Sequence, residues 1–163
     1  MVTIFTTGGT FDKIYFDAKS EFHIGETQVN PILEEGNVTL PYQVESVFRK
    51  DSLEVTEEDR RVLCEQVAAS QSTQIIITHG TDTMSDTAKL LATYDITGKT
   101  IVLVGAMQPA RMRYTDAPFN LGFALAAVQL LSADIYIAMN GQVFHHSNVT
   151  KNREHSRFEL ENS

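Results

Sequence analysis

Gln74-Ile75-Ile76-Ile77-Thr78-His79-Gly80-Thr81-Asp82-Thr83-Met84 is an apolar β-branched run that stops at a hydroxyl, a histidine and a glycine. A run of this kind is a buried strand of a parallel sheet that delivers polar groups into a tight turn. The carboxyl ends of such strands are where α/β sheets keep their sites. Thr81 and Asp82 are expected at the start of the following helix, whose free N–H groups and positive dipole end favour an anion or a developing negative charge. On its own this turn reads first as a simple helix cap, which is what Asp or Thr before a helix usually is. The rest of the chain weighs against that bland reading.

Upstream, Val2 to Thr6 is a first buried strand ending in Thr7-Gly8-Gly9-Thr10, where paired glycines let backbone N–H groups approach a ligand and Thr10 adds a hydroxyl. Phe11 to Gly25 mixes aromatics with charges in no clear period and reads as a long excursion over that turn, of the length typical of a lid. Asn30-Pro31 opens a short helix that Gly36 closes. Tyr42 to Phe48 is a strand running into Lys50-Asp51-Ser52, and Thr56 with Asp59 forms a capping box for a helix through about Ser70. Downstream, a helix over Ser85–Tyr94 leads to the strand Thr100–Val104, which empties into Gly105-Ala106-Met107-Gln108-Pro109. Asp116 and Pro118 start a helix with an apolar Phe123–Leu131 run, and Ile135–Met139 is a last strand leading to Asn140-Gly141. The tail from Lys151 is polar and poorly periodic.

Alternating strands and helices imply a three-layer αβα fold with a mostly parallel sheet, flavodoxin-like in general form. The turns at Thr7–Thr10, Asp51-Ser52, Thr78–Asp82, Gly105–Pro109 and Asn140-Gly141 then fall at one edge and converge on one crevice.

The 163 residues, 42% hydrophobic and 21% charged, suit one domain with its own core. A formal charge of −8 argues against nucleic-acid or anionic-membrane partners. Cys64 is the single cysteine, so no internal disulfide is possible, and its helix position favours packing over reactivity. Met1 leads directly into the first strand without a basic and apolar leader, so a cytoplasmic protein is expected.

The sequence lacks GxGxxG after the first strand, GxxxxGK[ST] and HExxH, which removes the usual warrants for dinucleotides, nucleoside triphosphates and zinc hydrolysis. His145, His146 and His155 are read as solvated loop residues, and neither metal nor cofactor is expected. Threonine hydroxyls beside an acid and a lysine point to covalent acyl transfer, with a lysine as base and glycine-turn N–H groups binding the oxyanion.

Thr7-Gly8-Gly9-Thr10, Ile77-Thr78-His79-Gly80-Thr81-Asp82-Thr83-Met84, Val104-Gly105-Ala106-Met107 with Pro109, and Asp116-Ala117-Pro118-Phe119-Asn120-Leu121 resemble, in order, the signatures of the bacterial-type L-asparaginases. Val149-Thr150-Lys151 falls at the matching place after Met139-Asn140. The resemblance implies the asparaginase N-terminal domain fold and hydrolysis of L-asparagine to L-aspartate and ammonia. It makes Thr10 the nucleophile, and Thr81, Asp82 and Lys151 a second set in which Lys151 activates Thr81 or a water. Asp82 would also bind the substrate α-amino group and Ser52 the α-carboxylate, so that Gly9, Asp51, Ser52, Gly80, Asp82 and Ala106 are the expected substrate contacts. Two departures stand out. Phe22 occupies the place of the family's lid tyrosine, leaving Tyr15 to supply any phenol, and Leu53 replaces a substrate-binding glutamine. The chain ends where the family usually continues into a second domain, so a single domain acting as a homodimer or homotetramer is expected. The alternatives are a glutaminase or amidotransferase component, and an amino-acid-binding module without turnover.

Overall fold

Ile75, Ile76 and Ile77 are wholly buried because their strand lies inside a sheet covered on both faces. The computed structural model describes residues 1–16 and 18–162; Asp17, in the excursion, and the terminal Ser163 lie outside the described residues. The chain runs β1 (Val2–Gly8), a 3-10 turn (Thr10–Asp12), β2 (Lys13–Phe16), β3 (Glu21–Ile24), α1 (Val29–Glu35), β4 (Tyr42–Lys50), α2 (Glu57–Ala69), β5 (Gln74–Thr78) and α3 (Met84–Leu91). It continues through β6 (Thr100–Val104), α4 (Ala117–Leu130), β7 (Ile135–Met139), β8 (Gln142–His145), β9 (Thr150–Asn152) and β10 (Arg157–Glu159).

Among the described residues the central sheet has the order β4-β1-β5-β6-β7-β8. Its first five strands are parallel, as the alternating pattern requires, and every residue of β6 is buried. β8 is the exception to the expected common direction. Asn140 at φ 49° and Gly141 at φ 85° make a two-residue turn, and β8 returns antiparallel beside β7. Such turns need positive φ at both central positions, which Asn-Gly supplies at little cost.

The helices follow local chemistry with three boundary corrections. α2 begins with the expected capping box, Thr56 accepting from the Asp59 N–H while the Asp59 carboxylate accepts from the Thr56 N–H. α1 starts at Val29 rather than at Asn30-Pro31, and the Gln28 N–H just before it is taken by the carboxylate of Asp12, 2.8 Å away. α3 starts at Met84, with Thr83 as its first flanking residue, so Thr81 and Asp82 stand just outside the helix instead of on its first turn. It also closes at Leu91, ahead of the expected Tyr94.

The excursion is a two-stranded hairpin, β2 with β3, in which Tyr15 faces Phe22 across the ladder. The tail forms a second small hairpin, β9 with β10, anchored by the buried Phe158 against Phe144. Cys64 is fully buried in α2, and burial pushes its thiol up to about 11, so it packs and does not react at neutral pH. Among the described residues no helix is long and apolar enough to cross a membrane.

Candidate active site

The glycines of two turns bring the crevice together by lacking side chains. A Cβ on Gly9 would lie 2.5 Å from the Gly80 backbone, and one on Gly80 would strike Ser52. The turns after β1, β4 and β5 therefore touch through Gly9, Gly80 and Ser52. Gly9 also sits at φ 72°, a conformation that side-chain-bearing residues rarely adopt, and its N–H donates to the Lys50 carbonyl at 2.9 Å. Thr10 and Thr81 each follow one of the contacting glycines. The buried Ser52 is held from the other side, its carbonyl accepting from the Thr83 hydroxyl at 2.9 Å.

Lys151 arrives from β9 and connects the polar groups. Its Nζ donates to Thr81 Oγ1 and to Asp82 Oδ1, both at 2.7 Å. Thr81 is nearly buried, and Arg153 Nε stands 3.7 Å from the same Asp82 oxygen. The helix-cap reading of these residues fails here, since the Thr81 hydroxyl and the Asp82 carboxylate serve Lys151. Among the described residues nothing hydrogen-bonds the Thr10 hydroxyl.

His79, in the middle of the motif, is structural. Its Nδ1–H donates to the Gly80 carbonyl at 2.7 Å, which leaves Nε2 to accept from the Thr87 hydroxyl at 2.9 Å. Arg60 Nε in turn donates to Thr87 Oγ1 at 3.2 Å. Complete burial lowers the imidazole to about 4, so it stays neutral and fixes the turn's shape.

Two networks that sequence reasoning did not single out shape the rim. The Asp116 carboxylate accepts from the Met107 and Gln108 N–H groups at 3.0 Å and from the Asn120 and Asn140 amides at 2.9 Å. Asn120 also donates to the Gly105 carbonyl at 2.9 Å. This network holds the turn bearing the buried Ala106, and the spacing of Asp116 and Asn120 on one helix face is the signal that could have revealed it. The second pairs Lys13 of β2 with Asp51 at 2.7 Å, while Asp51 also accepts from the Leu53 N–H at 3.2 Å. Asp51 thus ties the hairpin to the loop after β4, beside a groove of about 600 Å³ that Phe22 and Leu53 help to line. Tyr15 is 51% exposed and meets the Phe22 ring edge-on at 5.3 Å.

Asp12 straps the two ends of the excursion. Its carbonyl accepts from the Gly25 N–H at 2.9 Å, and its buried carboxylate accepts from Gln28. Burial raises this carboxyl from 3.8 to about 6, against the lowering effect of the Gln28 N–H. The folded chain therefore binds more protons than the unfolded chain between about pH 4 and 6, and Asp12's contribution falls as pH rises through that window. Asp12→Asn removes the titration. Its stability relative to wild type is expected to rise by about 2 kcal/mol from pH 4 to pH 7, read by urea unfolding at each pH. A difference independent of pH would refute the raised carboxyl.

Glycine-lined turns, two threonine hydroxyls and a lysine that bonds both one of them and an acid thus gather at the carboxyl edge of the parallel strands. A family model described as Asparaginase, N-terminal, matches residues 1–162, and the chain belongs to that family. A probable periplasmic L-asparaginase of Haemophilus influenzae is 32% identical over 159 residues, covering 92% of this chain and 46% of that protein. A glutaminase-asparaginase of Acinetobacter glutaminasificans is 41% identical over 80 residues, 47% of this chain and 24% of that protein. A probable cytoplasmic L-asparaginase of Campylobacter jejuni superposes with a TM-score of 0.82 at 26% identity, covering 98% of this chain and 51% of that one. The chain thus spans about half the length of the fuller matches among these relatives.

Proposed function

We propose that the chain carries the hydrolytic site of an L-asparaginase, cleaving the side-chain amide of L-asparagine to L-aspartate and ammonia through a threonine acyl-enzyme. The observation that carries this reading is Lys151 Nζ held 2.7 Å from both Thr81 and Asp82, next to the interlocked turns that present Thr10. In this reading Thr10 Oγ1 attacks the amide carbon and the C–N bond breaks. The departing nitrogen leaves as ammonia, taking up the proton lost by the hydroxyl. A water then attacks the ester and releases aspartate, and Lys151 activates Thr81 or that water. Ser52 holds the α-carboxylate and Asp82 the α-amino group, while Gly9, Gly80 and Ala106 supply backbone contacts and Asp51 positions the rim through Lys13. Support comes from the family and from relatives named as asparaginases or glutaminase-asparaginases. Ammonia release from L-asparagine and L-glutamine, measured side by side, tests it; tight binding without turnover would replace it with the amino-acid-binding reading.

Tyr15 is our candidate for the lid phenol. Residues directly opposite in an antiparallel pair share a face, so Tyr15 lies beside Phe22 and can follow it over Thr10 if the hairpin closes. Tyr15→Phe is expected to lower kcat by about 10-fold or more with little change in melting temperature. An unchanged kcat rules the hydroxyl out.

We also propose that the active species is a homodimer or homotetramer in which a second copy covers the outer face of α4. Phe119 and Leu130 are exposed there, and Phe119 stacks on Phe123 with 6.3 Å between ring centroids. Light scattering over a dilution series, with activity measured on the same samples, should show loss of activity on dissociation. A monomer fully active at every concentration contradicts this.

A further inference from the structure

Asp134, His145 and His146 meet at the amino end of β7, the edge of the sheet opposite the crevice. The β7–β8 ladder pairs Tyr136 with His145, so the end of β8 returns beside the start of β7. His145 Nε2 lies 3.1 Å from Asp134 Oδ2, and His146 Nε2 lies 3.5 Å from Asp134 Oδ1. One donor atom from each residue falls within 4.8 Å of the other two. Tetrahedral zinc with bonds near 2.0–2.1 Å spaces its donors about 3.3 Å apart, and the two His–Asp separations, each to a different carboxylate oxygen, bracket that value.

The local backbone explains how adjacent histidines reach one point. Successive strand residues face opposite ways. β8 ends at His145, however, and His146 begins a turn whose N–H donates to the Ile135 carbonyl at 3.1 Å, so the two ring centroids come within 4.2 Å. His145 Nδ1 faces Ser147 Oγ at 2.7 Å and accepts from the Ser147 N–H at 3.3 Å, so Nε2 carries the proton and donates to Asp134 Oδ2 at 3.1 Å. An ion between the rings takes the place of that proton, which then moves to Nδ1 and donates to Ser147 Oγ. Asp134 Oδ1 accepts from the Ile135 N–H at 2.8 Å, which fixes the carboxylate.

We propose that Asp134, His145 and His146 form a three-ligand site for a borderline divalent transition-metal ion of the zinc class, with a fourth position open to solvent. Two imidazoles and one carboxylate suit Zn²⁺, Co²⁺ or Ni²⁺ better than Ca²⁺ or Mg²⁺, which prefer all-oxygen shells. All three side chains are partly exposed, so an ion can enter, and a chain of net charge −8 attracts cations. The site takes no part in the hydrolysis. Its consequence is mechanical, because the chain passes from His146 to Lys151 in five residues and a bound ion clamps the start of that segment to β7.

The test uses the whole chain without an affinity tag, stripped with EDTA and dialysed. Zn²⁺ is titrated by calorimetry, and Co²⁺ by the visible absorption that distinguishes low-coordinate from hydrated ion. One ion per chain is expected, with a higher melting temperature in excess Zn²⁺. Asp134→Asn, His145→Gln and His146→Gln should each weaken Zn²⁺ binding at least about 10-fold, since loss of a ligand costs no less than loss of its outer partner. His155→Gln, outside the cluster, should change nothing. Binding that survives unchanged in the folded Asp134 and His146 variants, or no binding by wild type below millimolar Zn²⁺, overturns the proposal.

Discussion

Replacing Thr10 by alanine is expected to lower kcat/KM for L-asparagine by roughly 10³- to 10⁶-fold, the range over which loss of an acylating nucleophile is felt. The structural cost should be small. Thr10 opens a single 3-10 turn, is half-buried, and among the described residues makes no hydrogen bond through its hydroxyl, so its truncation should change stability by less than about 1 kcal/mol. What positions the hydroxyl is backbone: Gly9 at φ 72° locked against Gly80, and the Gly9 N–H on Lys50. Alanine leaves those contacts intact. Thr10→Ser keeps the oxygen and should recover a large share of the rate, with an ester intermediate that can be trapped by rapid acid quench. A folded Thr10→Ala enzyme retaining most of its turnover would move the nucleophile elsewhere, Thr81 being the next hydroxyl in line.

How far the sequence could be read depended on the range of the interactions that fix each element. The bounds of β6 and β7 were legible because an unbroken apolar run between polar or glycine residues admits little else. The capping box of α2 was legible because both of its bonds lie within four residues. The start of α1 was not, since the group that takes the Gln28 N–H is Asp12, 16 residues earlier. The start of α3 was legible to within one residue, but the placing of Thr81 and Asp82 on its first turn was not, as Lys151 about 70 residues downstream claims both. Asn140-Gly141 carried a hairpin signal that went unused: flanked by Met139 and Val143, it is the favoured pair for a two-residue turn, and it predicts β8. Within the candidate site, the Gly-Thr turns announced themselves as motifs. The Lys13–Asp51 pair and the Asp116, Asn120 and Asn140 network could appear only once the strands were side by side.

Thr81→Val and Lys151→Met, singly and together, should show that these residues work as one unit. Each single change is expected to reduce kcat by about 10²- to 10⁴-fold, the usual range for a group that moves a proton in the transition state. Lys151→Met removes both 2.7 Å bonds at once, so the Thr81 hydroxyl loses the lysine that bonds it and Asp82 loses its nearest cation. Thr81→Val leaves Lys151 on Asp82 but with no oxygen to activate. Once either member is gone the other has nothing left to do, and the double variant should be about as slow as the slower single one. Folding should tolerate the changes, because Asp82 is partly solvated and Arg153 remains 3.7 Å from it. Melting temperatures of the three variants check that point independently of rate. Losses that simply multiply in the double variant would mean that Thr81 and Lys151 act separately, and the relay would then have to be assigned to Lys151 and a water alone.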